Sequence, residues 1–563
     1  NPAKGSVNAI AESLTNIVWA PMSNGIKSVS LSANWMWPCN NPGENDRLYE
    51  AVKACSDFAI DLGINIPTGK DSLSMKQKYQ EVDVLAPGTV IISSAGQCED
   101  INKIVTPVAL PNKGKLYYIN LSSERHVLGG SSLNQIFNKI GSEAPGISNV
   151  SLFKNAFNLL QKLILEEKII SGHDVSSGGL ITSLLEMCFP SKGVGMEINL
   201  TSLKEKDTTA LLFAENSGWI LQSEMDLTDY FNSFGIDCKS IGIVTGTGRL
   251  KTSNYQDDLD LDVSEYRDVW FSSSAALDAR QNKFAKERFE NYGSIPLKFN
   301  FPSHFDGKLS QSQPNKIKAA IIREKGSNSE REMAYAMHSV GFEVHDIHMT
   351  DLINGRKTLE EFQFIAAVGG FSNSDVLGSA KGWAGAFLYN PKAKRSLDDF
   401  FAREDTLSLG VCNGCQLFIE LGMITPSHKA LPKMHHNDSG KFECQFTAVK
   451  IGHSTSVMMV GLENTTLGIW AAHGEGKFHL PMDESKYQIP AKYHQEVYPA
   501  NPNGSDFNAA MLCSDNGRHL VMMPHLERST FPWNWAHYPE NRKDKFSPWI
   551  IPFENAKRWL DEK

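Results

Sequence analysis

The chain is 563 residues long, too long for one hydrophobic core, and ordinary domain sizes divide it into roughly three or four domains. A hydrophobic fraction of 41% is normal for globular protein, while a net charge of −9 and a pI near 6.0 argue against nucleic-acid or membrane-surface partners, which need clustered basic residues. No stretch approaches about eighteen uninterrupted apolar residues and no secretory signal is present, so no membrane partner is expected.

Nine cysteines, odd in number and mostly isolated in apolar stretches, read as reduced thiols of a cytosolic protein. The chain opens at Asn1, in mid-pattern, and is expected to be part of a longer polypeptide.

Residues 1–112 form the first expected unit. A helix over 9–16 places Glu12 and Asn16 at i, i+4 on one face, where a carboxylate and an amide oxygen can share a hard cation such as Mg²⁺. An ordinary surface pair is the alternative. A strand over 28–33 and a helix over 47–62 follow. Gly69-Lys70-Asp71-Ser72-Leu73-Ser74-Met75 then lines a phosphate pocket or makes a plain turn; it lacks the spacing of a P-loop.

The second unit, 113–270, begins with a strand over 115–121 and has helical stretches over 150–167. His173-Asp174-Val175-Ser176-Ser177-Gly178-Gly179-Leu180 reads as a strand end running into a glycine-rich helix start. Backbone N–H groups there favour phosphate and Asp174 can hold its metal, unless Asp174 or Ser176 is only a helix cap. Strands over 217–222 and 240–244 close the unit.

A polar amphipathic helix over 265–292 leads into a connector. The expected connector, 271–314, contains Pro296, Pro302, Gly307 and the stretch Ser310-Gln311-Ser312-Gln313-Pro314. The last unit, 315–563, starts with a strand over 316–323, a helix over 329–340 and strands over 343–347 and 364–368. Strands separated by helices imply a doubly wound α/β fold with a mostly parallel sheet.

Within that unit, the apolar run 407–411 meets Gly410-Val411-Cys412-Asn413-Gly414, after which helical periodicity begins. This is the pattern of a nucleophile elbow with a thiol at the hinge. A free thiol is only a few per cent ionised at neutral pH, so a nucleophilic cysteine needs a helix N-terminus, a nearby base, or both. Of the downstream histidines, His525 is favoured, because Leu520-Val521-Met522-Met523-Pro524 is a buried-strand pattern that delivers it to the sheet edge. Glu527, two residues on, can orient the imidazole.

Attack on an amide carbonyl builds an oxyanion. The N–H of Asn413 is one expected donor, and Val368-Gly369-Gly370-Phe371-Ser372, a strand end with a flexible glycine pair, either brings another N–H into place from Gly370 or Phe371 or makes a plain βα turn. Three rivals for Cys412 remain at this point: a redox pair with Cys415, a zinc site, or a buried structural thiol.

Gly410-Val411-Cys412-Asn413-Gly414-Cys415-Gln416, with Gly369-Gly370-Phe371-Ser372 and Asp375 before it and Pro524-His525-Leu526-Glu527-Arg528 after it, resembles the class I glutamine amidotransferase domain of the phosphoribosylformylglycinamidine synthase family. Ser439-Gly440-Lys441-Phe442-Glu443-Cys444 and Ala472-His473-Gly474-Glu475-Gly476 match as well. The upstream stretches around Glu12, Asn34, Gly69 and Asp174 look like the second half of that family's synthetase region, an α+β arrangement of the aminoimidazole-ribonucleotide-synthetase type.

The resemblance implies conversion of formylglycinamide ribonucleotide (FGAR) to formylglycinamidine ribonucleotide (FGAM), with glutamine and ATP as co-substrates. It further implies Glu12, Asn16 and Asp174 as Mg²⁺ ligands, Ser176 touching ATP or ADP, and an N-terminal half of the same polypeptide as partner. Two positions depart from the family pattern: Asn216 follows Phe213-Ala214-Glu215 where a second Glu is common, and Leu526 stands where Pro is usual. A nucleotide-binding interaction module, its glutaminase inactive without the missing half, is the alternative function.

Overall fold

The computed structural model describes residues 1–255, 257–291, 297–309 and 317–563. The chain divides into two units, Asn1–Ser273 and Ser274–Lys563. Pro296 and the stretch Ser310-Gln311-Ser312-Gln313-Pro314 lie outside the described residues, and with them part of the expected connector.

In the first unit the helix Pro2–Ile17 is started by Asn1, whose side chain accepts from the Lys4 N–H, and by Pro2 at its first turn. It buries Ile10, Ala11 and Leu14, leaving Glu12 and Asn16 on the outer face. A three-stranded sheet orders Asn65–Ser72, Val29–Met36 and Thr89–Gly96, with the first pair parallel and the second antiparallel. The stretch from Gly69 is therefore strand as far as Ser72, because its backbone pairs with Ala33 to Met36.

A seven-stranded, mostly antiparallel sheet follows, in the order Asp257–Asp262, Arg249–Asn254, Gly195–Asn199, Cys238–Thr245, Lys115–Asn120, Gly218–Ser223 and Ser171–Val175. The strand carrying Asp174 is its edge. Asp is depleted in strands, yet Asp257–Asp262 is one, held by its pairing with Arg249–Asn254, which in turn pairs with Gly195–Asn199.

The expected single helix over 265–292 is two, Val263–Asp278 and Ala285–Asn291. The break falls at Asn282, whose side chain accepts from the Phe284 N–H at 2.9 Å and donates to the Tyr498 hydroxyl at 2.7 Å, drawing the backbone out of helical bonding.

In the second unit a six-stranded sheet orders Glu343–His348, Lys318–Arg323, Phe364–Ala367, Leu407–Val411, His519–Met522 and Met511–Cys513. Every pairing is parallel except the last, and helices separate the parallel strands: the doubly wound α/β fold. Leu407–Val411 is central and wholly buried. A second sheet, of Thr466–His473, Glu443–Ile451 and Ala491–Tyr493, carries Ala472 and His473.

Candidate active site

Cys412 sits between the strand Leu407–Val411 and the helix Asn413–Glu420, with φ 51° and ψ −106°. The hinge is held at both ends: its N–H donates to the Met522 carbonyl at 2.9 Å, and its carbonyl accepts from the Gln416 N–H at 3.0 Å. Gly414 is required because a Cβ there would lie 2.0 Å from the Ala367 carbonyl oxygen, so the elbow helix can pack on the neighbouring strand only through a bare backbone. The cysteine is 6% exposed, and its thiol lies 3.5 Å from the Ala472 carbonyl oxygen.

His525 reaches this thiol from the strand His519–Met522, which pairs directly with the elbow strand. Its N–H donates to the Trp470 carbonyl at 2.8 Å, and its Nδ1 lies 2.7 Å from Glu527 Oε1. Both side chains are buried. Burial alone would push the imidazole down, but the Glu527 carboxylate and then Cys412 outweigh it and raise His525 to about 10. Burial likewise opposes ionisation of Glu527, and the imidazolium beside it holds the carboxyl below its ordinary value. The three expected triad residues are thus in one buried cluster.

Gly369 lies between them: a Cβ on it would stand 2.9 Å from His525 Cε1 and 3.4 Å from Cys412 Cβ. The loop after it is tied to the elbow. Ser372 N–H donates to Asn413 Oδ1 at 3.2 Å, Asn413 Nδ2 donates to Gln416 Oε1 at 3.0 Å, and Gln416 Nε2 donates to the Glu475 carbonyl at 2.8 Å.

Of the expected oxyanion donors, Asn413 opens the elbow helix, where first-turn N–H groups lack an intrahelical acceptor. Gly370, at φ 125°, lines the cavity beside Cys412. Phe371 lines it too, but its N–H already donates to the Gly326 carbonyl at 2.9 Å.

The rival readings of the thiol find little here. Cys415 is buried, burial pushes its thiol well up, and the described cysteines are all free. No group of three or more His, Cys, Asp or Glu among the described residues is arranged to hold a metal. Among the other histidines, His519 is a buried structural group bonded to Ser408 Oγ at 2.9 Å, and His435 stacks on His479.

In the first unit Ser176 Oγ donates to Glu12 Oε1 at 2.5 Å. Glu12 is raised by burial of its carboxyl and by the neighbouring Asp174 and Glu215 carboxylates, with the Ser176 hydroxyl opposing, although its side chain still reaches solvent. The fold therefore brings Glu12, Asp174 and Ser176 together, whereas Asn16 is exposed one turn along the helix.

Crowded carboxylates of this kind suit a cation, though as placed they do not form a finished ligand set. Glu215, not singled out as a site residue from sequence, organises the region: its Oε1 accepts from the N–H groups of Ser132 and Gly178, both at 2.8 Å. Its one sequence signal is its place in Phe213-Ala214-Glu215.

Residues 316–560 match the family model described as the CobB/CobQ-like glutamine amidotransferase domain, residues 1–97 the FGAR-AT PurM_N-like domain, and residues 115–253 the C-terminal domain of AIR synthase related proteins. The chain thus joins a synthetase-type unit to a glutamine amidotransferase domain. It is 38% identical over 98% of its length to the probable phosphoribosylformylglycinamidine synthase, chloroplastic/mitochondrial, of Arabidopsis thaliana, covering 41% of that protein. It is also 38% identical over 98% of its length to the phosphoribosylformylglycinamidine synthase of Homo sapiens, covering 44% of it. A structure of PurLQS from Thermotoga maritima is 23% identical, over 44% of this chain and 100% of that one, with a TM-score of 0.35. The chain is thus similar to phosphoribosylformylglycinamidine synthases, and it spans less than half the length of the curated relatives it matches.

Proposed function

We propose that the chain is the glutamine-hydrolysing and second synthetase portion of an ATP-dependent ligase that converts FGAR to FGAM in purine biosynthesis. The observation that carries this is the buried Cys412–His525–Glu527 cluster at a strained strand-to-helix hinge.

The Cys412 thiolate attacks the carboxamide carbon of glutamine, and its carbonyl oxygen becomes an oxyanion that the Asn413 and Gly370 N–H groups receive. His525, cationic beside Glu527, protonates the departing ammonia, leaving a glutamyl thioester. Water then attacks the thioester, releasing glutamate and the thiol. Ammonia passes on to the synthetase unit, where ATP phosphorylates the FGAR amide oxygen and ammonia displaces phosphate.

In that unit Ser176 and the glycine-rich start of the helix Gly179–Cys188 are assigned to the nucleotide, and Glu12, Asn16 and Asp174 to Mg²⁺. When bound, the ion would neutralise phosphate charge. The remainder of a longer polypeptide is the partner we assign to the exposed apolar residues Leu73, Met75, Val82, Val84, Leu85 and Ile91 of the first unit. Free cysteines support a cytosolic setting.

The diazo-ketone analogue of L-glutamine should label Cys412, located by mass spectrometry; label on Cys415 overturns the nucleophile assignment. In a polypeptide restored to the relatives' length, Cys412→Ala should abolish glutamine-dependent FGAM formation and spare ammonia-dependent formation. Loss of both would count against ammonia transfer.

A further inference from the structure

The elbow and the triad place the reacting atoms, but they leave open what fixes the loop 439–443, whose Phe442 lines the cavity beside Cys412. Phe442 is 43% exposed, with its ring 5.8 Å from that of Phe371, so burial does not hold it in place. Its neighbours on the chain do. The Ser439 carbonyl accepts from the Lys283 N–H at 3.1 Å, Lys441 Nζ lies 3.0 Å from Asp278 Oδ1, and Arg288 Nη2 donates to Glu443 Oε2 at 2.7 Å. Asp278, Lys283 and Arg288 all belong to the second unit and to the stretch expected to be a connector.

Arg288 is the centre of this clamp. Its Nη1 stands 3.5 Å from Asp278 Oδ2, and its guanidinium carbon lies 5.4 Å from the centroid of the Tyr498 ring. The Tyr498 hydroxyl in turn donates to Glu443 Oε1 at 3.0 Å and accepts from Asn282 Nδ2 at 2.7 Å.

Glu443 is fully buried, and a carboxylate keeps such a place only while it is paired and hydrogen-bonded. Arg288 is the cation paired with it among the described residues, yet Arg288 is not one of the residues lining the cavity. Without the guanidinium, Glu443 has to turn towards water and take residue 442 with it.

We propose that Arg288 and Asp278 are positioning residues for amide cleavage at Cys412: they hold Glu443 and Lys441, and through them set Phe442 as a wall of the cavity. The proposal rests on the glutaminase reading. The stretch 278–288 is then a working part of the glutaminase rather than a spacer before it.

The test is the concentration dependence of Cys412 labelling by the diazo-ketone analogue, which separates half-saturation from the limiting rate. In Arg288→Met, which keeps the side-chain length and loses the charge, half-saturation should need about tenfold more analogue, the worth of about two methylene contacts. The limiting rate should stay within about twofold, and Arg288→Lys should recover most of the loss. Phe442→Ala should show the same shift, and Arg288→Met added to Phe442→Ala should make it no worse, because one residue acts through the other.

Additive shifts, an unchanged half-saturation in Arg288→Met, or a fall confined to the limiting rate would each overturn the proposal. If Arg288→Met does not fold, Asp278→Ala decides, since it leaves Glu443 paired and lets Lys441 reach water. Half-saturation should rise about threefold, and not at all when Phe442 is already alanine; no rise overturns the proposal. If the diazo-ketone analogue fails to label Cys412 even in the parent chain, the glutaminase reading itself fails; labelling whose half-saturation ignores the clamp sinks only the positioning role.

Discussion

Gly369→Ala should damage the site through one methyl group. Gly369 lies outside the left-handed region, so its backbone accepts a side chain, and the objection is what the Cβ touches. That atom would stand 2.9 Å from His525 Cε1, against the 3.4 Å at which ordinary contact begins, so the imidazole or the strand end must yield by about half an ångström. His525 cannot swing freely, because its Nδ1 is held 2.7 Å from Glu527 and its backbone is bonded to Trp470.

Overpacking of this size costs about 1–3 kcal/mol, and displacement approaching an ångström in a catalytic base costs up to about a hundredfold in rate. We therefore expect a drop of about 10- to 100-fold in kcat for glutamine hydrolysis with KM changed much less. The rate of Cys412 labelling by the diazo-ketone analogue should fall in parallel. Turnover and labelling within about twofold of the parent would refute the close packing of Gly369 against His525.

Glu527→Gln removes the charge that holds His525 up. A histidine raised from 6.5 to about 10 stabilises the fold fully below its unfolded value and loses that contribution as pH rises towards 10; a depressed glutamate contributes above about 4.5 and fades below it. The gap in thermal midpoint between parent and variant should be widest near pH 5–6.5 and narrow on both sides; a gap independent of pH would exclude the ion pair. Glu12→Gln should weaken Mn²⁺ binding, read by electron paramagnetic resonance as a Mg²⁺ surrogate, by about tenfold or more. Without metal the variant should be at least as stable as the parent, since it relieves burial of a carboxylate beside Asp174 and Glu215; unchanged Mn²⁺ affinity would remove Glu12 from the ligand set.

The parts of the site legible in sequence are those whose chemistry is local. An apolar strand, a glycine-flanked cysteine and a helical period identify the elbow within sixteen residues, because the strained hinge and the close approach of Gly414 to Ala367 demand those residue types. His525-Leu526-Glu527 was readable for the same reason: the bond from imidazole to carboxylate spans two residues.

What only the tertiary structure decided is whatever depends on distant segments meeting. Glu215 clamps Ser132 and Gly178 from far along the chain, and the Asp-rich strand Asp257–Asp262 exists by pairing rather than by propensity. The N–H of Phe371 is taken up by Gly326, which no spacing rule reports. Asp375 was visible only as a letter in a motif; its place on the wall of the cavity beside Cys412 depends on a turn of three consecutive left-handed residues, 373–375. Local sequence sets which groups can do chemistry, whereas the desolvation and neighbours that set their charge arise only when the sheets close around them.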